Sequence, residues 1–144
     1  MSANNVLKSL TDTAFDSIEG YGKAAEKAKD PNLKTALLKR REKREKTVAA
    51  LNAEIQRQGG ELVTKGTMTG EAHQLWMSIT DAFEDGNEAA AERVEEGEDY
   101  LKNKFESALK DDDLDPQSRV VVQQCYAEIS DGERFGDMIA KQYD

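Results

Sequence analysis

The stretch from Asp30 to Gly60 constrains this chain more than any other. Asp30-Pro31 is a helix start: a carboxylate at the N-cap accepts first-turn amides, and proline at the first helical position misses no donor. Gly59-Gly60 is the matching stop, because glycine readily takes the left-handed conformation that ends helices. Between these signals Leu33, Leu37, Val48, Leu51 and Ile55 recur at helical spacing, and Arg44 falls inside their stripe. Arg40 and Arg41 lie on its margins. An arginine in the middle of an apolar face is the feature the rest of the fold must accommodate.

The same logic predicts helices over about 5–28, 32–58, 87–109 and 116–143, with a shorter one over about 68–83. In the first, Leu7, Leu10, Ala14, Ile18, Tyr21, Ala25 and Ala28 form the inward stripe. Asp12, Asp16 and Glu19 fall on the opposite side and read as a solvated face. Gly20 and Gly22 flank Tyr21 and leave room for a close neighbour. The short helix carries Met68, Ala72, Leu75, Trp76, Ile79 and Phe83, and Asp85 with Glu88 has the spacing of a capping box. The next long helix has Ala91, Val94, Leu101, Phe105 and Leu109, with Glu98 inside the stripe. A second Asp-Pro start, Asp115-Pro116, opens the last helix, whose inward positions include Val122, Cys125, Tyr126, Ile129, Gly136, Ala140 and Tyr143. Glu133 lies close to that face.

Connections of a few residues make the first two long helices one antiparallel hairpin and the last two another. The segment from Gly59 to Gly86 is long enough to travel back along helices of about 35–42 Å. The expected fold is therefore a single all-α domain over residues 1–144: a four-helix bundle of two antiparallel hairpins, with a helix-containing crossover between the second and third long helices.

Several segments carry a resemblance: Glu19-Gly20-Tyr21 with Ala24-Ala25-Glu26, Asp30-Pro31-Asn32-Leu33-Lys34, His73-Gln74-Leu75-Trp76, and Gly97-Glu98-Asp99. With the two Asp-Pro-linked hairpins, they resemble the ferritin-like superfamily. More narrowly, they are similar to a bacterial family of ferritin-like four-helix-bundle proteins with no assigned function. The resemblance implies a ferritin-like fold and a bacterial source, and it implies no activity.

Ferritin-like di-iron or di-manganese chemistry needs a Glu from each of two helices and Glu-x-x-His from the other two, all pointing inward. Here His73 is the single histidine, Gly70 stands three residues before it, and Glu19 faces outward by phase. The mid-bundle position on the second helix is Arg44, a cation where a metal site needs an anion. No metal site and no cofactor are expected, and no catalytic residue is assigned.

A buried arginine is costly unless paired. If the crossover makes the second and third long helices parallel, Arg44 and Glu98 share a depth of roughly 17–20 Å. The sequence reading is a buried ion-pair network of Arg44, Glu98 and Glu133, extended by Arg40, Arg41 or Glu95, which fixes helix register. Trp76 and Phe83 have two readings, core or an exposed interaction surface. Cys125, on an inward stripe, reads as an inert buried thiol.

The 144 residues carry a net charge of -9, which argues against nucleic acid as a partner. Ten of the twenty basic residues lie between Lys23 and Lys46, while Glu84 to Asp115 holds thirteen acids against four bases. This segregation suits complementary faces within the fold, or a protein partner or second copy of the chain. One cysteine, no signal-like pattern in Met1–Asn5 and no long apolar run give a cytoplasmic expectation, without membrane association. The expected role is a non-catalytic structural or interaction protein, stress-associated in a bacterium. The alternative is a carboxylate-rich metal-binding or redox protein with a non-standard ligand set.

Overall fold

The computed structural model describes residues 3–144, so Met1 and Ser2, on which part of the leader reading rests, lie outside the described residues. Five α-helices follow one another: α1 (Ala3–Lys27), α2 (Pro31–Arg57), α3 (Glu71–Ala82), α4 (Asn87–Leu109) and α5 (Pro116–Gln142). No strand occurs among the described residues, and no helix there is long and apolar enough to cross a membrane.

Both Asp-Pro starts are built as helix caps. Asp30 Oδ1 accepts the amides of Asn32 and Leu33 at 2.9 and 3.3 Å, and Asp115 Oδ1 accepts that of Ser118 at 2.8 Å. At the other end of α2, Gly59 takes a φ of 81° and the Gly60 amide reaches back to the Ile55 carbonyl at 2.9 Å. That is the left-handed closure for which glycine is suited.

The crossover differs from its sequence reading at both ends. Helix α3 begins at Glu71 rather than near residue 68, because Met68 (φ 68°) and Gly70 (φ 95°) both sit in backbone conformations that interrupt a helix. It ends in a single 3-10 turn, Phe83–Asp85. The predicted capping box of Asp85 with Glu88 is not formed. Gly86 occupies the N-cap of α4, and no side chain caps that end.

The long helices pack side by side in the cyclic order α1, α2, α5, α4, and α3 lies over the groove between α1 and α4. Two apolar clusters fix the directions. One gathers Leu7 and Leu10 from the start of α1, Leu51 and Ile55 from the end of α2, Phe105 from the end of α4 and Val122 from the start of α5. The other gathers Tyr21 and Ala25, Leu33 and Leu37, Ala91 and Val94, and Ile139, from the opposite ends of the same helices. Helices α2 and α4 therefore run parallel, each antiparallel to its hairpin partner, and stand diagonally across the bundle. Between the two clusters lies a polar layer.

Trp76 is the large side chain by which α3 enters the second cluster, and it is 0% exposed. Its ring lies 5.2 Å from that of Tyr21, centroid to centroid. Gly20 on α1 and Gly97 on α4 give it room: a Cβ at either would stand within 2.9 Å of indole carbons. The surface reading of Trp76 is thereby corrected, since closing α3 onto two glycines buries the ring completely. Phe83 is half-buried and packs against the same cluster.

Candidate functional site

The polar layer at mid-bundle is built around Arg44, whose position inside the apolar stripe of α2 turns its guanidinium into the interior. Arg44 and Glu98 are each 0% exposed. Arg44 Nη2 donates to both Glu98 carboxylate oxygens, at 2.9 and 2.8 Å. Its Nε donates to Glu128 Oε1 at 2.7 Å, and Nη2 also reaches Glu128 Oε2 at 3.2 Å. Its Nη1 donates to the Ser17 hydroxyl at 2.8 Å. Glu98 Oε2 receives a further bond from the Tyr21 hydroxyl at 2.7 Å, so all four long helices contribute.

Glu128 is the hub on α5. Arg40 Nη1 donates to its Oε2 at 3.0 Å and Thr47 Oγ1 to its Oε1 at 2.8 Å. The Arg40 guanidinium also lies 5.7 Å from the centre of the Phe135 ring, in a cation–π arrangement. Gly132, one turn further along α5, leaves the space that the Arg44–Glu98 pair fills; a Cβ there would collide with the head groups of both.

These contacts set the electrostatics. Burial works against the Arg44 charge, but Glu98 and then Glu128 outweigh it and raise its pKa, so the guanidinium is permanently charged. Tyr21 is pushed well above its ordinary value, first by burial and then by the Glu98 charge, and remains a neutral donor. Chemically the layer holds two carboxylates against two guanidinium groups, with Tyr21 and Thr47 donating to further carboxylate lone pairs and the Ser17 oxygen accepting from Arg44.

Glu133 does not join this layer. It sits 3.9 Å from Lys102 Nζ on the α4 side of α5, beside Asp99 and Asp137. The substitution of Glu128 for Glu133 has a simple cause. The two acids lie on opposite flanks of the α5 stripe, and only the Glu128 flank faces α2. Arg41 is half-exposed, 3.8 Å from Glu45, and outside the layer. Glu95 is also elsewhere: it shares a hydrogen bond with Asp137, and that bond together with partial burial lifts its pKa to about 7.

Cys125 lies on the inward face of α5 with its thiol toward the Thr47 carbonyl at 3.9 Å. Burial, then the Glu128 charge, pushes the thiol up to about 11. It is held in its unreactive protonated form.

A second constellation lies outside the bundle interior. Asp16, read from the sequence as solvated with Asp12 and Glu19, is buried beneath the crossover loop. Its Oδ1 accepts the Thr67 amide at 3.0 Å and its Oδ2 the Thr67 hydroxyl at 2.7 Å. Glu19 Oε1 accepts the Gly66 amide at 3.2 Å. His73 Nδ1, on α3, lies 3.6 Å from Asp16 Oδ1. Helical phase on α1 shows which side faces the bundle, and it carries no information about a segment folding over the other side.

A protein-family model described as Domain of unknown function (DUF2383) matches residues 2–111. The chain belongs to that family. No curated protein and no solved structure matches it. The matched residues take in α1 to α4, so Ser17, Tyr21, Arg44 and Glu98 all lie in the part this chain shares with the DUF2383 family. So do Asp16, Glu19 and His73. Glu128 stands on α5, beyond the matched residues.

Proposed function

We propose that this chain is a non-catalytic structural or interaction module, a ferritin-like bundle of bacterial origin whose interior is occupied by a fixed ion-pair layer. The observation that carries the reading is the pairing of Arg44, whose three guanidinium nitrogens each donate to a side chain. A group held this way at mid-bundle fixes helix register, since any slip of one helix would leave a buried charge unpaired. The parallel run of α2 and α4 with a helical crossover between them supports the ferritin-like assignment. Charge segregation between the Lys23–Lys46 and Glu84–Asp115 stretches favours a protein partner or a second copy of the chain, in the cytoplasm. A stress-associated role belongs to the same reading.

The test replaces the layer with apolar side chains of similar volume. Arg44→Met with Glu98→Leu and Tyr21→Phe is expected to fold and to rescue any stress phenotype of a strain lacking the chain. A variant that folds with parental helicity yet fails to complement would overturn the reading, because function would then need the charged groups themselves.

A further inference from the structure

Asp16 is as buried as Glu98, yet it has no arginine beside it. Among the described residues neither Asp16 nor Glu19 is ion-paired with a lysine or arginine. The two carboxylates face a single titratable nitrogen, His73 Nδ1, which is shut off from solvent and has no hydrogen-bond partner. The 3.6 Å from that nitrogen to Asp16 Oδ1 is too long for a hydrogen bond. One oxygen from each acid and one nitrogen of His73 lie within 4.8 Å of one another. Two ligands of one tetrahedral cation, each about 2.1 Å from it, stand about 3.4 Å apart. The His73–Asp16 separation thus matches that of two ligands about one metal ion.

We propose that Asp16, Glu19 and His73 form a site for a divalent cation of the Zn2+ or Fe2+ class, which clamps the crossover onto α1. The donor set selects the class: an imidazole nitrogen suits these borderline ions, whereas Mg2+ and Ca2+ favour oxygen alone. Asp16 and Glu19 are one helical turn apart on α1, and His73 comes from the segment that must be held against it. The Thr67 amide and hydroxyl and the Gly66 amide orient the two carboxylates, the kind of outer hydrogen bonding that fixes ligands in metal sites. Desolvation raises the Asp16 pKa despite those bonds, an imbalance that a cation would relieve. The inference is independent of the Arg44 layer, because a cation here would leave that layer untouched.

The test uses tag-free, chelator-treated protein titrated with Zn2+ by calorimetry and with Co2+ by visible absorption. One equivalent of either ion is expected, with a rise in melting temperature on Zn2+ addition. His73→Ala and Glu19→Gln should each weaken binding by about tenfold or more and reduce the Zn2+-induced rise. Asp137→Asn, in the acidic group around Glu133, should leave binding unchanged. Because the chain has one histidine, its ring proton resonances report this site alone and should shift on saturation. Asp16→Asn also loosens the loop, so the partly exposed His73 is the deciding position, with a melt of the metal-free variant verifying its fold. Binding that is substoichiometric, that is undiminished in His73→Ala, or that is lost in Asp137→Asn would overturn the proposal.

Discussion

Arg44 meets Glu98 through one nitrogen: Nη2 donates to both carboxylate oxygens, at 2.9 and 2.8 Å, with neither side chain touching solvent. The remaining guanidinium nitrogens are directed to Glu128 and Ser17, so the pair is the centre of a layer that closes on itself. Removing one partner leaves the others buried and charged. Arg44→Ala should therefore destabilise by about 3–5 kcal/mol, seen as a fall in melting temperature of about 10 °C. Replacing Arg44, Glu98 and Tyr21 together by Met, Leu and Phe should stay within about 2 kcal/mol of the parent, since no buried charge is stranded at the pair. Thermal and urea melts of the two variants check this, and equal losses would count against the network.

The contact of Trp76 with Gly97 gives a second test. A Cβ at Gly97 would lie 2.8 Å from Cε2 and Cζ2 of an indole that is 0% exposed and has nowhere to retreat. Gly97→Ala should lose about 0–2 kcal/mol net, overpacking of about 1–3 kcal/mol being offset by about 1 kcal/mol of helix propensity. In a Trp76→Phe background the same substitution should cost less. A double-mutant cycle measures that coupling.

Stability should fall as pH rises from about 4.5 to about 7. Glu95 has a folded pKa of about 7, raised by its hydrogen bond to Asp137 and then by burial, against an ordinary 4.5. Within that window the folded state binds a proton that the unfolded state has released, so folding is favoured at the acidic end and the advantage is lost on passing 7. The neighbours acting on this group are Asp137, Asp99 and Glu92. Asp30, Glu54 and Asp115 have lowered pKa values, and their losses begin only at lower pH. Melting curves between pH 5 and 8 should show the trend, and Asp137→Asn should flatten it. A parent whose melting temperature climbs across this range would contradict the assignment.

Cys125 should be inert in the folded state. With its pKa pushed up to about 11, the thiolate fraction at pH 8 is about a hundredfold or more below that of a free cysteine. Reaction with a disulfide reagent should be slow by at least that factor and should accelerate in urea, or in Arg44→Ala through local opening. Fast labelling of the intact parent would place the thiol outside the core.

Periodicity and caps determined a good deal by themselves. Helical spacing put Arg44 and Glu98 within apolar stripes, and the two Asp-Pro starts with Gly59-Gly60 set where α2 and α5 begin and where α2 stops, because caps and phase are local properties of one helix. What only the tertiary structure decided is which elements face one another. Phase places Glu128 and Glu133 on two flanks of one stripe; the cyclic order of helices decides that Glu128 meets α2 and Glu133 meets Lys102. Gly132 was the available signal, a residue without a side chain where two charged head groups had to fit. The same limit applies to Asp16 and Trp76. A crossover can cover the outer face of a helix, and no pattern within that helix records it, since burial there depends on a segment some fifty residues away.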